Sequence, residues 1–352
     1  MNKIKIGSWV YSLLTADRLS GIERTALEIH ACFIRLLRSE SLLLGVLPTG
    51  AKIPDKFPIY EEIREDKILQ SKHGQLGEID VLWLNSLNPT GFLEILEERK
   101  RGLKVVSLVH DLLPLKYPEW FDKESIKYFK LWLMMVLKIS DVLIFTSNIQ
   151  LDEFKMRNFN FKGRVEVIGL GASIKGPVLP SRTRGSLALL AVSTIEPRKG
   201  YQDILEAYDI LNALGYPVTL DIVGRYGWEQ EELMGRILNH PELGRSLTWH
   251  NDCSDLQLTE IYRRTSITIM ASFDEGWGLS LEEGLRHGHK IVARDIPIFR
   301  QRENTNIFLF NEVNPLIEQI LKASKEPFKP LASRRTMQNF TEQLLEIIGD
   351  LS

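Results

Sequence analysis

The segment FDEGWGLSLEEG, residues 273–284, decides the fold of this chain. An apolar run that ends near Met270 predicts a buried strand, and the residues from Leu279 onward predict a helix. Between them, Gly276 and Gly278 allow backbone amides to approach a ligand closely. The start of the helix adds N–H groups without helical partners and a partial positive charge. This strand–turn–helix unit therefore predicts a pyrophosphate site at the carboxyl end of a parallel sheet.

Two carboxylates accompany this turn. Glu275 lies in the turn itself, and Glu283 lies eight residues later in the predicted helix. Carboxylates in such positions accept hydrogen bonds from sugar and ribose hydroxyls. The alternative interpretation is an acidic helix start in which Glu275 interacts favourably with the helix dipole.

Short apolar runs alternate with longer amphipathic runs along the whole chain, which predicts an α/β protein with parallel sheets. Strands are predicted at Lys3–Val10, Leu42–Leu47, Ile79–Leu84, Val105–Val109, Val142–Phe145, Val165–Ile168, Leu187–Val192, Val218–Val223, Ser246–Trp249, Ile267–Met270 and Lys290–Ala293. Helices are predicted at Ile22–Leu37, Gly91–Lys100, Lys123–Lys138 (with Asp122 as N-cap), Gln150–Asn158, Tyr201–Leu214, Glu229–Asn239, Asp255–Arg264, Leu279–His287 and Thr336–Ile348.

The length of 352 residues predicts two domains, because single cores stop growing at about 250–300 residues. Glycine, proline and serine concentrate between Gly171 and Gly185, which is typical of a linker. We therefore predict a first domain over residues 1–172, a linker over 173–185, a second domain over 186–330 and a C-terminal helix segment over 331–352.

The composition is that of a globular protein, with 44% hydrophobic and 26% charged residues. The net charge of -2 argues against nucleic-acid binding driven by bulk charge. The two cysteines, Cys32 and Cys253, suggest no secreted disulfide framework, and the N-terminus lacks the apolar core of a signal peptide. The most apolar stretch, Leu131–Leu137, is too short to cross a bilayer, which needs about 20 residues. A cytoplasmic location is therefore expected.

A second motif, AVSTIEPRKG at residues 191–200, places Arg198 and Lys199 in a turn between a predicted strand and a helix. Adjacent cations at the carboxyl end of a strand suit a diphosphate. The alternative interpretation is a solvated basic turn.

A third motif, SLVHDLLPLKYPEWF at residues 107–121, delivers His110 and Asp111 from a buried strand of the first domain. A lone histidine in this position is often structural. A fourth motif, LSGIERTALE at residues 19–28, opens a helix at Gly21 with one glycine instead of a full dinucleotide fingerprint. Its alternative is a solvated first turn.

In order and spacing, these motifs resemble retaining glycosyltransferases of the family 4 group, over about residues 3–300. The family's motif commonly reads EGFGLP followed by an EA pair, whereas this chain has EGWGLS followed by Glu283-Gly284. Ser280 replaces the usual proline and Gly284 the usual alanine; neither change removes a functional group. Beyond Arg300 the resemblance fades, and residues 301–329 look divergent.

The resemblance implies a GT-B fold, in which two Rossmann-like domains face each other across a cleft and a C-terminal helix crosses back to the first domain. It also implies site roles. Glu275 contacts the donor sugar, Glu283 the ribose hydroxyls, and Lys199 the donor diphosphate. The family's early loop arginine is replaced by Thr194, and Arg198 is expected to supply that charge. The remaining donor-side positions are His110 at the sugar, the amides of Gly21 and Ile22, the backbone of Gly276, Trp277, Gly278 and Leu279, and Gly224, Arg225 and Trp249 around the base or phosphate.

The implied function is retaining hexose transfer in the synthesis of a bacterial polysaccharide or O-antigen, with GDP-mannose as the first donor to try. A glycan or a lipid-linked glycan is the expected acceptor, and neither metal nor cofactor is expected. Two alternatives stay open, a nonhydrolysing sugar-nucleotide epimerase and a catalytically idle GT-B subunit. A weaker hypothesis places the helix Lys123–Lys138 on an anionic membrane, through Lys123, Lys127 and Lys130 beside Trp132, Met134 and Met135.

Overall fold

The structure of the protein, a computed structural model, describes residues 4–10, 13, 20–37, 42–48, 68–71, 75–87, 90–172, 187–302, 305–329 and 335–351. The chain divides into two compact units. Unit 1 comprises Met1–Ser173 and Arg335–Ser352, and unit 2 comprises Ile174–Arg334. The predicted linker at 173–185 and residues 331–334 of the predicted C-terminal segment lie outside the described residues.

Unit 1 contains a parallel sheet. Its described strands are β1 (Lys5–Trp9), β2 (Leu42–Pro48), β3 (Ile68–Ser71), β4 (Val81–Leu84), β5 (Lys104–Val109), β6 (Val142–Phe145) and β7 (Arg164–Val167). The sheet order is β3-β2-β1-β4-β5-β6-β7. The connecting helices are α1 (Gly21–Leu36), α2 (Phe92–Arg99), α3 (Leu113–Lys116), α4 (Lys123–Ile139) and α5 (Asn148–Met156). The strand order reverses between β1 and β4, which is the doubly wound arrangement.

Unit 2 repeats this arrangement. Its described strands are β8 (Leu187–Val192), β9 (Val218–Val223), β10 (Leu247–His250), β11 (Ile267–Met270), β12 (Lys290–Arg294) and β13 (Ile307–Phe310). The order β10-β9-β8-β11-β12-β13 is again parallel throughout and reverses between β8 and β11. The helices are α6 (Tyr201–Ala213), α7 (Glu231–Leu238), α8 (Asp255–Arg264), α9 (Leu279–Arg286), α10 (Pro297–Arg300) and α11 (Val313–Lys325).

The C-terminal helix α12 (Met337–Gly349) belongs to unit 1, where it packs against α1. Phe340 of this helix contacts Trp83 of β4, with ring centroids 6.3 Å apart. Thr336 caps the helix and forms a bridge with Ala172. The expectation that the final helix returns to the first domain is therefore confirmed.

The predicted α/β class with parallel sheets is confirmed, and every predicted strand and helix has a counterpart. The sequence patterns missed the strands β3 and β13 and the helices α3, α10 and α11. The strand β13 consists of the four residues IFLF, of which Phe308 and Phe310 are buried. Its parallel pairing with β12 identifies this short run as a strand.

Helix α4 shows how the sequence sets a helix and its exposed face. Asp122 caps it, because its carboxylate accepts a 2.9 Å hydrogen bond from the Ser125 amide. Trp132 is buried and donates a 2.9 Å hydrogen bond to the carbonyl of Ser86, so it cannot take part in the predicted membrane-facing surface. Within the described residues, no helix is long and apolar enough to span a membrane.

Candidate functional site

The carboxyl ends of β8 and β11 meet where the strand order of unit 2 reverses, and ligands of open α/β sheets bind at such points. After β8, residues Pro197–Lys199 form a short 3₁₀ turn, and Gly200 begins α6 with a left-handed φ of 63°. A Cβ atom on Gly200 would lie 2.3 Å from the carbonyl oxygen of Ala271. The basic turn Pro197–Lys199 therefore packs closely against the loop that follows β11.

Glu275 lies at the centre of the contacts between the two loops. Lys199 Nζ approaches Glu275 Oε1 to 2.5 Å, and Arg198 Nη1 approaches Glu275 Oε2 to 3.3 Å. The hydroxyl of Ser272 donates a 2.8 Å hydrogen bond to the same carboxylate. Arg198 also pairs with Glu196 at 2.7 Å. The structure thus brings the adjacent predicted residues Arg198 and Lys199 together with Glu275, which lies more than seventy positions later in the sequence.

The Glu275 carboxylate is ionised in this setting. Burial opposes its charge, but the neighbouring Lys199 and Arg198 outweigh burial and lower the pKa of Glu275 to about 2. The Lys199 ammonium carries three N–H donors, one of which Glu275 accepts. The loop therefore has donors with which to bind an anion such as a diphosphate.

The glycine turn that follows Glu275 leads into α9 as the sequence predicted. Gly278 occupies the N-cap position with a left-handed φ of 84°, and no side chain caps the helix. A Cβ atom on Gly278 would lie 2.8 Å from the ring of Phe299. Gly276 and Trp277 are buried in the turn, and Leu279 begins the helix half-buried.

Arg302 holds this turn in place, and it was not among the site residues predicted from the sequence. Its guanidinium lies 3.5 Å from the ring centroid of Trp277, and its Nη2 donates a 2.9 Å hydrogen bond to the Trp277 carbonyl. Its Nη1 pairs with Glu282. Arg302 follows the point where the motifs fade, so only the tertiary contact reveals it.

Glu283 is buried in α9, and its Oε2 accepts a 3.2 Å hydrogen bond from the hydroxyl of Tyr262. Tyr262 in turn stacks on His287, with ring centroids 4.8 Å apart. The hydroxyl–carboxylate contact holds the second carboxylate of the motif in one orientation.

The two departures from the family's motif have structural counterparts. Ser280 donates a 2.6 Å hydrogen bond to the carbonyl of Val192 and so ties α9 to the end of β8. A Cβ atom on Gly284 would lie 2.7 Å from Ile291 Cδ1 and 2.8 Å from Thr268 Oγ1. In this chain glycine fits at position 284 because these larger neighbours occupy the space.

The residues predicted around the base or phosphate lie on the loop after β9 and in strand β10, and Thr194 lies on the loop after β8. Gly224 follows β9, and a Cβ atom there would lie 1.8 Å from the carbonyl oxygen of Ser193. Trp249 is half-buried, and its Nε1 donates a 2.8 Å hydrogen bond to the Gly224 carbonyl. Thr194 is half-buried and Arg225 is exposed. These loops therefore extend the candidate site along the carboxyl edge of the sheet.

The remaining predicted residues belong to unit 1. His110 follows β5 and is buried, and its Nε2 lies 3.0 Å from the carbonyl oxygen of Asn85. Burial lowers the pKa of His110, against the raising effect of this hydrogen bond, so a neutral imidazole with Nε2–H as donor is favoured.

At the start of α1, the amide of Ile22 donates a 3.3 Å hydrogen bond to Ser20 Oγ. Glu23 completes the capping box. Gly21 is the first residue of the helix and is exposed. Part of the first turn therefore has a capping role, which neither sequence interpretation had included.

Comparison with known sequences finds a matching family and matching bacterial relatives. Residues 182–343 match the family described as Glycosyl transferases group 1. The chain is 30% identical over 270 residues to the serotype-specific mannosyltransferase WbdA of Escherichia coli, covering 70% of this chain and 33% of that protein. It is 25% identical over 207 residues to the O-antigen chain mannosyltransferase B of Escherichia coli, covering 55% of this chain and 53% of that protein. The chain thus spans about a third to a half of the length of these relatives.

Among solved structures, Anabaena Alr3699/HepE in complex with UDP and glucose is similar over 99% of this chain and 100% of that one, with a TM-score of 0.70 and 17% identity. This likeness concerns the fold. Together with the two parallel sheets, it confirms the predicted GT-B class.

Proposed function

We propose that the chain is a glycosyltransferase that moves a hexose from a nucleoside diphosphate sugar to a hydroxyl of a glycan or lipid-linked glycan, since residues 182–343 match the family described as Glycosyl transferases group 1. The observation that carries the proposal is the Glu275 carboxylate, bridged by Lys199 and Arg198 at the switch point of unit 2. Two cations and a carboxylate at that point suit a diphosphate joined to a sugar.

The proposed chemistry follows from where charge develops. Cleavage of the anomeric bond leaves negative charge on the departing phosphate, and Lys199, Arg198 and the uncapped amides of α9 are arranged to stabilise it without a metal. Glu275 would accept hydrogen bonds from sugar hydroxyls and Glu283 from those of the ribose. We propose retention of configuration, with same-face attack and transfer of the acceptor proton to the leaving phosphate.

GDP-mannose is the proposed donor, since both relatives bear the name of mannosyltransferases. The name of the O-antigen relative also supports a polysaccharide acceptor. UDP-glucose is the second donor to examine, because the HepE structure contains UDP and glucose.

The donor is tested by thermal unfolding with each nucleotide sugar. A ligand that binds only the folded state at a hundred times its Kd stabilises that state by about 2.7 kcal/mol, so a rise in Tm of several degrees is expected for the true donor. Product formation with a mannan acceptor, and the anomeric configuration by NMR, then test transfer and retention. Conversion of the donor without an acceptor would indicate an epimerase, and binding without turnover would indicate an idle subunit.

We further propose that α4 rests on an anionic membrane surface close to a lipid-linked acceptor. The exposed side chains of α4 include Tyr128, Leu131 and Met134 together with Lys123, Lys127 and Lys130. Apolar side chains beside lysines suit the boundary of anionic headgroups. Buried Trp132 and half-buried Met135 are left out of this surface.

The double variant Lys127→Glu/Lys130→Glu is expected to lose cosedimentation with phosphatidylglycerol vesicles at low salt, because each basic residue near such a surface contributes about 1 kcal/mol. The control is Lys155→Glu/Lys162→Glu, which reverses two exposed lysines outside α4. Equal sedimentation of both variants, or binding to purely zwitterionic vesicles, would contradict the proposal.

A further inference from the structure

Asn85 directly follows β4 and is fully buried, with an exposed fraction of 0%. Among the described residues, neither its amide nitrogen nor its amide oxygen has a hydrogen-bond partner. Ser8, on β1, is also fully buried, and its hydroxyl has no hydrogen-bond partner among the described residues. Buried side-chain amides and hydroxyls are nearly always hydrogen-bonded, so two such groups on neighbouring strands require an explanation.

These two groups lie at the switch point of unit 1, where the strand order reverses between β1 and β4. Ser8 is in register with Trp83, two residues before Asn85. Trp9 and Leu84 pack into the apolar cluster with Ile95 and Ile139, so by alternation Ser8 and Asn85 belong to the opposite face of the sheet. This location is equivalent to that of Lys199 and Glu275 in unit 2.

The surroundings indicate the class of ligand. The carbonyl of Asn85 accepts the hydrogen bond from His110, the residue that the family resemblance places at the donor sugar. The buried His110 favours its neutral form, and Asn85 and Ser8 are themselves uncharged. A carboxamide offers two donors and an acceptor, and a hydroxyl offers one donor and accepts as well, which matches the paired hydroxyls of a sugar.

We propose that Asn85 and Ser8 form a sugar-binding subsite in unit 1 that recognises adjacent hydroxyls of one of the two sugar substrates. The subsite rests on the proposed transferase function. A buried amide without a partner among the described residues destabilises the folded state, and a bound ligand would supply the missing hydrogen bonds. Removal of the Asn85 side-chain amide is therefore expected to stabilise the folded state and to weaken sugar binding.

The test is the variant Asn85→Leu, which keeps the size of the side chain and removes its polar atoms. Its Tm is expected to be equal to or above that of the unchanged protein, because an unsatisfied buried amide is gone. The KM of either the donor or the acceptor is expected to rise roughly tenfold, the effect of losing one or two neutral hydrogen bonds, while kcat changes little. Whichever KM rises identifies the sugar that is bound.

Asn306→Leu is the matched control. Asn306 is also buried, but its amide is satisfied by Lys329, whose carbonyl accepts at 2.9 Å and whose amide donates at 2.8 Å. This control is expected to lower Tm and to leave both KM values unchanged. Ser8→Ala removes only the second hydroxyl and is expected to raise the same KM as Asn85→Leu, so it serves if that variant does not fold.

A lowered Tm in Asn85→Leu with both KM values unchanged would overturn the subsite, as would unchanged KM values in Ser8→Ala. Failure of the broader proposal has a different signature, because the unchanged protein would then transfer no sugar from any donor. Measuring the unchanged protein beside each variant keeps the two results separate.

Discussion

Sugar transfer by the Lys199→Ala variant is expected to fall by about 10²–10³-fold in kcat/KM. The side chain of Lys199 has an exposed fraction of only 11%, and its ammonium lies 2.5 Å from the Glu275 carboxylate. A cation held in a water-poor loop stabilises a departing phosphate far better than one in bulk water. Its removal also releases the Glu275 carboxylate from one of its two cations.

The variant Lys199→Arg tests whether sugar transfer depends on the positive charge of residue 199 alone or also on the shape of the charged group. It keeps the positive charge but replaces a compact ammonium by a planar fork, so partial recovery of kcat/KM is expected. Arg236→Ala is the control for loss of an ion pair as such, because Arg236 forms an exposed pair with Asp209 in the same unit. Full transfer by a folded Lys199→Ala protein would remove Lys199 from the proposed site.

The Gly200→Ala variant is expected to lose about 2–4 kcal/mol of unfolding free energy. Two independent costs act at this position. The φ of 63° is left-handed, and the added Cβ would lie 2.3 Å from the backbone oxygen of Ala271, which cannot move aside as a side chain would. Because Lys199 immediately precedes Gly200, relief of the clash would also shift Lys199 away from Glu275 and lower transfer.

Gly215→Ala isolates the backbone cost, since Gly215 has a φ of 79° but no atom within 4 Å of an added Cβ. About 1–2 kcal/mol is expected there, without any effect on transfer. Gly235→Ala lies in helix α7 with open space around it and is expected to be neutral or stabilising. Urea unfolding of the three variants measures these differences. Equal losses in Gly200→Ala and Gly215→Ala would show that the close approach to Ala271 contributes nothing.

The candidate site was predictable from sequence where its residues are close along the chain. FDEGWGLSLEEG contains the strand end, the turn and the helix start, so the local pattern alone identifies Glu275, Gly278 and the start of α9. The same holds for the basic turn at 197–199. Local periodicity also gave the parallel α/β class, because a buried strand and an amphipathic helix differ within a single element.

Contacts between distant residues were not predictable in this way. The contacts of Arg302 with Trp277 and of Tyr262 with Glu283 depend on which strands are neighbours and on which side chains meet across the sheet. The same is true of the Asn85 amide, which has no hydrogen-bond partner among the described residues. A pattern along the chain does not contain that information. The sequence by itself determined the elements, the fold class and the types of chemical group at the strand ends. Only the tertiary structure decided which of those groups pair, because burial and hydrogen bonding are properties of neighbours in space.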